Sequence, residues 1–170
     1  MLQSQADDIR DFQIEGMSIG DSLLEFFDEK EIKNNFIFVE NSRKYYAVLV
    51  LSEKNNQYKS AVKKLNDYYG MHIYVDPNDK KYVIKGIEAM LDFRNNFSEC
   101  FNKKVEIEKS IDQLLPNVKK LVKNKPHDYD KSNNSMVYTT YIRINPNSKF
   151  YQLKIQCFDW SKEMGFIDHF

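Results

Sequence analysis

The stretch Gly16-Met17-Ser18-Ile19-Gly20-Asp21-Ser22-Leu23-Leu24-Glu25-Phe26-Phe27 admits two readings that exclude each other. In the first, Gly16 and Gly20 bracket a turn, and Asp21 or Ser22 caps a short acidic helix. Either side-chain oxygen can accept from an N–H that the first helical turn leaves unpaired. Ser22-Leu23-Leu24-Glu25 also has the spacing of the reciprocal capping box, with Glu25 reaching back to the cap N–H. In the second, Ser22 is a nucleophile and the chain is an enzyme. The rest of the sequence favours the turn and cap.

Working outward, residues 1–8 read as a tail or the remnant of a leader, and Ile9 to Ile14 alternates weakly enough for a short strand. Asp28-Glu29-Lys30-Glu31-Ile32 starts a second helix. Lys44 to Leu51 is dense in aromatic and β-branched residues and reads as a strand. Tyr58, Ala61, Val62 and Leu65 fall at helical spacing, which predicts a helix over 57–66. Met71 to Val75 and Lys81 to Met90 flank Asp76-Pro77-Asn78-Asp79, whose side chains suit a reversal, so the two form an antiparallel hairpin with Gly86 at a bulge. Phe97 to Leu115 is a helix with Phe97, Cys100, Phe101, Ile107, Ile111 and Leu114 on its inner side, Ser98 as its cap and Pro116 as its stop. Lys119 to Asn134 is the least ordered stretch. Met136 to Ile144 and Phe150 to Phe158 are strands around Asn145-Pro146-Asn147-Ser148, and Trp160 closes one end of the core. The chain then stops without a polar tail, as though cut short.

This order predicts an α+β fold, with an antiparallel sheet of about five to six strands packed with two to four helices, in a single domain over 9–170. The 170 residues, 42% hydrophobic with 12 Phe and 11 Tyr, exclude a disordered chain. Acidic and basic residues balance at 25 each, so no global field draws nucleic acid or anionic lipid. No apolar run is long enough for a membrane span. Ser4 and Ala6 have the spacing of a signal-peptidase site, but the basic start and apolar run of a leader do not precede them in this chain. Export to the periplasm or outside the cell is the leading expectation, and a cytoplasmic protein the alternative. Cys100 and Cys157 are the only cysteines. In an exported chain they form one disulfide; in a reducing compartment they are two thiols packed as small hydrophobes.

Few constellations carry chemistry. His72, His127 and His169 lack a second ligand at helical spacing, and Asp76-Pro77-Asn78-Asp79 lacks the later Gly and Glu of a calcium loop, so neither metal nor cofactor is expected. Lys119-Lys120-Leu121-Val122-Lys123-Asn124-Lys125 is the one basic run. Without arginine, interleaved aromatics or a basic net charge, it reads as a solvated helix end and not as a nucleic-acid site.

Gly20-Asp21-Ser22-Leu23 resembles the first block of the GDSL, or SGNH, hydrolases, and Asn78-Asp79 resembles their Asn-Asp block. The resemblance implies a small serine esterase in which His169 takes the proton of Ser22 and Asp168 orients the imidazole. The sequence departs from that pattern: Gln13 to Ser18 is polar where a buried strand should lead in, Pro77 replaces a flexible position, and Asp168 and His169 are adjacent where the family separates them. A wider resemblance runs through Ala6 to Leu24, Pro77 to Tyr82, Glu99-Cys100 and Gln156 to Ser161. These segments resemble a group of small secreted proteins from marine alphaproteobacteria, which carry signal peptides and have no assigned activity. The Gly-Met-Ser turn, helices and following strands are also similar to outer-membrane assembly lipoproteins of the SmpA type and to the β-lactamase-inhibitor-like fold, which bind proteins and catalyse nothing. These likenesses imply an exported, non-enzymatic domain whose partner is another protein or an envelope component.

Overall fold

The computed structural model describes residues 12–38, 47–52, 65, 68–93, 96–144 and 153–164. The chain forms two compact units, Ile9–Asp92 and the unit that contains Phe93–Phe170, each described by itself below. Helices and antiparallel strands are mixed in an α+β arrangement, but among the described residues the strands build two sheets, of four and three strands, where one sheet of five to six was expected. Strand patterning shows which face is buried and not which sheet a strand joins, so the division was invisible in sequence.

In Ile9–Asp92 the sheet is a meander of β1 (Phe36–Phe38), β2 (Ala47–Ser52), β3 (Gly70–Val75) and β4 (Ile84–Met90), each strand antiparallel to its chain neighbour. Along β3, Met71, Ile73 and Val75 are buried while His72 and Tyr74 are not, the two-residue alternation of a strand with one face on a core. The core is completed by Met17, Leu23, Phe27, Ile32, Leu65, Tyr82 and Ile84. The expected hairpin is present: Asn78 N–H donates to Asp76 Oδ1 (2.9 Å), and Asp79 N–H to the Asp76 carbonyl (3.0 Å). The bulge also falls where expected, with the register shifting between Tyr74 opposite Gly86 and Val75 opposite Ile84. A Cβ on Gly86 would lie 3.4 Å from Tyr74 Cδ2.

The helix expected after Ser22 is a single 3-10 turn, Leu23–Glu25, and Ser22 makes no capping bond. The capping box lies one element later, at α1 (Glu29–Asn34): Glu31 N–H donates to Asp28 Oδ1 (2.7 Å) and Asp28 N–H to Glu31 Oε2 (3.0 Å). Of the weak strand at Ile9 to Ile14, the described part contributes an isolated bridge between Ile14 and Met17. β1 was not foreseen, because three residues directly after a helix show no period. The helix expected over 57–66 lies outside the described residues apart from Leu65, which is not helical.

In Phe93–Phe170, α2 (Phe97–Leu114) packs on β7 (Leu153–Asp159) of a sheet ordered β5 (Lys119–Pro126), β6 (Met136–Arg143), β7. The cap of α2 is Asn96, whose Oδ1 accepts from Glu99 N–H at 3.2 Å, and not Ser98. The stretch expected to be least ordered holds β5, which pairs with β6 along all eight of its residues, so the basic run is a strand and not a helix end. Lysine stems suit an edge strand, where water solvates the ammonium groups. The inner side of α2 also differs from expectation. Phe101 is 38% exposed and Leu114 is exposed, whereas Lys104, at 6%, occupies the buried position between Cys100 and Ile111. Its Nζ donates to Thr140 Oγ1 (2.6 Å), pairs with Glu108, and lies 5.8 Å from the Phe101 ring centroid. The turn at 145–148 lies outside the described residues.

Candidate functional site

Ser22 sits in extended backbone beside the entry to β4. Gly20 N–H donates to the Ile84 carbonyl (2.9 Å), Ile84 N–H to Asp21 (2.9 Å) and Leu23 N–H to Tyr82 (3.1 Å). Ser22 Oγ donates to the Lys81 carbonyl at 2.7 Å. Asp79 is in the same loop, but its carboxylate accepts from Lys81 N–H (3.0 Å) and Val83 N–H (3.3 Å), bonds that hold it below its ordinary pKa. Asp21 closes its own turn by accepting from Ser18 N–H at 2.7 Å. The loop thus gathers the serine and the Asn-Asp pair of the esterase resemblance, with the Ser22 hydroxyl and the Asp79 carboxylate bonded to backbone. Asp168 and His169 lie outside the described residues.

On the outer face of β3 and β4, Glu88 Oε2 accepts from Tyr74 OH (2.9 Å) and lies 3.2 Å from His72 Nδ1. Burial, then the Glu88 charge, push Tyr74 up to about 12. The carboxylate orients both rings, but no nucleophile or third metal-ligating side chain joins them: among the described residues no group of three His, Cys, Asp or Glu is placed to hold a metal.

The unit Phe93–Phe170 presents a different arrangement at the β5–β6 end of its sheet. The loop between these strands is built on Asp130. Its Oδ1 accepts from Ser132 N–H (2.9 Å) and Oγ (2.6 Å), and its Oδ2 from Ser135 N–H (2.7 Å) and Ser161 Oγ (3.1 Å). Ser161 N–H donates in turn to Ser135 Oγ (2.9 Å), tying the chain after β7 to the loop. Hydrogen bonds from Ser132 foremost, then Ser135, hold the Asp130 carboxyl well below the usual carboxylate range.

This frame positions four rings. Phe158 and Trp160 stack with centroids 5.4 Å apart and planes 6° from parallel, His127 leans on Trp160 at 4.6 Å, and Tyr129 meets His127 at 5.6 Å. Trp160 was expected to close the core. It is instead 39% exposed, and Tyr129 is 76% exposed. Sequence reading missed the cluster because its members come from a loop and a strand end. The signal available was Phe158-Asp159-Trp160, two rings at strand spacing and therefore on one side.

The Asp130 frame gives a testable acid sensitivity. A folded-state pKa below the ordinary 3.8 contributes stability that is fully present above that value and is lost as pH falls through the folded value. Fluorescence of the single tryptophan, followed on acidification, should therefore be flat near neutrality and report loosening below about pH 4. Asp130→Asn should flatten that dependence; an unchanged acid profile in the variant would place the titrating group elsewhere.

The pair Cys100 and Cys157 is brought together as a disulfide with Cα atoms 5.9 Å apart, and no other cysteine is present. No described helix is long and apolar enough to cross a membrane. Comparison of the chain with family models, curated proteins and solved structures gave no match in any of the three.

Proposed function

We propose that this chain is a non-enzymatic, exported protein-interaction domain whose contact surface includes the exposed rings of the Phe93–Phe170 unit. The observation that carries the reading is the four-ring cluster held by the Asp130 frame. Tyrosine and tryptophan present large, stiff, amphipathic area, and such rings on a pre-ordered loop lose little freedom on binding another protein. Export is supported by the disulfide, since such bonds persist in oxidising compartments and are reduced in the cytosol.

Site-specific photo-cross-linking in the producing cell tests the proposal. A reactive side chain at Tyr129 should yield a defined protein adduct, while one at the exposed Lys80 of the other unit should not. Absence of an adduct from Tyr129 would remove the interaction reading. The rival is the esterase using Ser22. Purified protein should leave short-chain esters intact, and Ser22→Ala should change nothing but the bond to Lys81. Ester turnover that vanishes in Ser22→Ala, yet survives a substitution at Lys80, would replace the binding reading with an enzymatic one.

A further inference from the structure

We infer that the outer edge of β5 is a docking edge for an extended acidic segment of a partner polypeptide, which joins the sheet beside β5 as a fourth strand. The inference rests on the interaction reading above and names the chemistry of the partner. Among the described residues β5 pairs on one side only, with β6, in unbroken register from Lys119 opposite Arg143 to Pro126 opposite Met136. An edge strand turns alternate N–H and C=O groups outward, where an added strand can pair with them. Near the middle of this edge Val122 is 60% exposed, an apolar side chain that α2 does not cover.

Charge selects the occupant. The three strands carry Lys119, Lys120, Lys123, Lys125, Arg143 and Lys154 against a single acid, Asp159. Lys120 is taken by Asp112 (2.6 Å) and Lys125 by Asp128 (2.6 Å), whereas Lys119 and Lys123 meet no acid among the described residues. By strand alternation these two, with Lys125, share the face turned away from α2. A second copy of β5 would set lysine against lysine and is repelled, while a strand bearing Glu or Asp at alternate positions gains cross-strand pairs. The same lysines that protect the edge from self-association therefore fit it to an acidic strand. A nucleic acid would satisfy the charge but not the outward peptide groups or Val122.

The test uses the full chain and synthetic peptides that match the eight residues of β5, with Glu alternating with Thr. The Glu peptide should bind and its Lys counterpart should not. Of two Glu peptides N-methylated at odd or at even positions, one should lose about tenfold or more in affinity and the other should keep it, because only alternate N–H groups face β5. The double substitution Lys119→Glu/Lys123→Glu, at exposed positions and checked for folding by circular dichroism, should exchange the preference to the Lys peptide. Equal affinity of both N-methylated peptides, or displacement by duplex DNA at matched charge, would show polyanion capture and overturn strand addition. Failure of every peptide while Tyr129 still cross-links would overturn the edge assignment alone; failure of both would overturn the interaction reading as well.

Discussion

Removing the Cys100–Cys157 bridge, by Cys100→Ala with Cys157→Ala or by reduction, is expected to lower the stability of the Phe93–Phe170 unit by about 4 kcal/mol, the chain-entropy value for a closed loop of this size. The bridge joins residues 57 apart, from the first turn of α2 to the end of β7. Without it the unfolded segment regains the freedom of that whole loop, which includes β5, β6 and the Asp130 frame. Alanine is the right replacement at Cys157, which is fully buried, because serine would add an unsatisfied hydroxyl. Urea unfolding followed through Trp160 reads the effect, and equal midpoints for the oxidised and reduced protein would show that the bridge constrains nothing.

The second large effect lies beneath α2. Glu108→Ala should destabilise the same unit by about 3–5 kcal/mol, the usual result of breaking a buried ion pair on one side only. It leaves the buried Lys104 ammonium with Thr140 Oγ1 and the face of Phe101 as its described neighbours, and both are weaker partners for a charge than a carboxylate. The paired replacement Lys104→Met/Glu108→Leu removes both charges together and should come within about 1 kcal/mol of the parent or exceed it, since desolvation of the pair offsets much of its attraction. The difference between single and double variants measures the coupling. A Glu108→Ala protein as stable as the parent would mean that water reaches Lys104.

The elements that could be read in sequence are those whose residues obey a single period. β3 alternates, α2 repeats every three to four residues, and the turn between β3 and β4 spells out its own hydrogen bonds in Asp76 and Asp79. The disulfide was open to counting, because two cysteines allow one intramolecular pairing. β5 escaped because an edge strand solvated along its length carries no alternation of burial, and its lysines look the same on a strand as on a helix end. Lys104 escaped because a charge at a core position contradicts the pattern by which core positions are found; its partners Glu108, one helical turn on, and Thr140, two strands away, make it tolerable. The candidate surface was hidden by the same errors. With β5 and its loop taken as the least ordered stretch, starting on a helix end, nothing could bring His127 and Tyr129 to Phe158 and Trp160. Ser22 shows the limit of a local motif from the other side, since its described side-chain partner, the Lys81 carbonyl, lies 59 residues away.

That contact also bears on how the Ile9–Asp92 unit is assembled as the chain emerges. Its four strands pair in chain order, so each can join as soon as it is made, and such local pairing keeps contact order low and folding fast. The seam between Gly20–Leu23 and Tyr82–Ile84 is the exception. The N–H of Leu23, a residue synthesised early and fully buried at the end, has no backbone partner until Tyr82 has been made. Docking of this N-terminal segment therefore closes a loop of about 60 residues and must await Tyr82–Ile84, a larger entropic cost than any strand pairing within the meander.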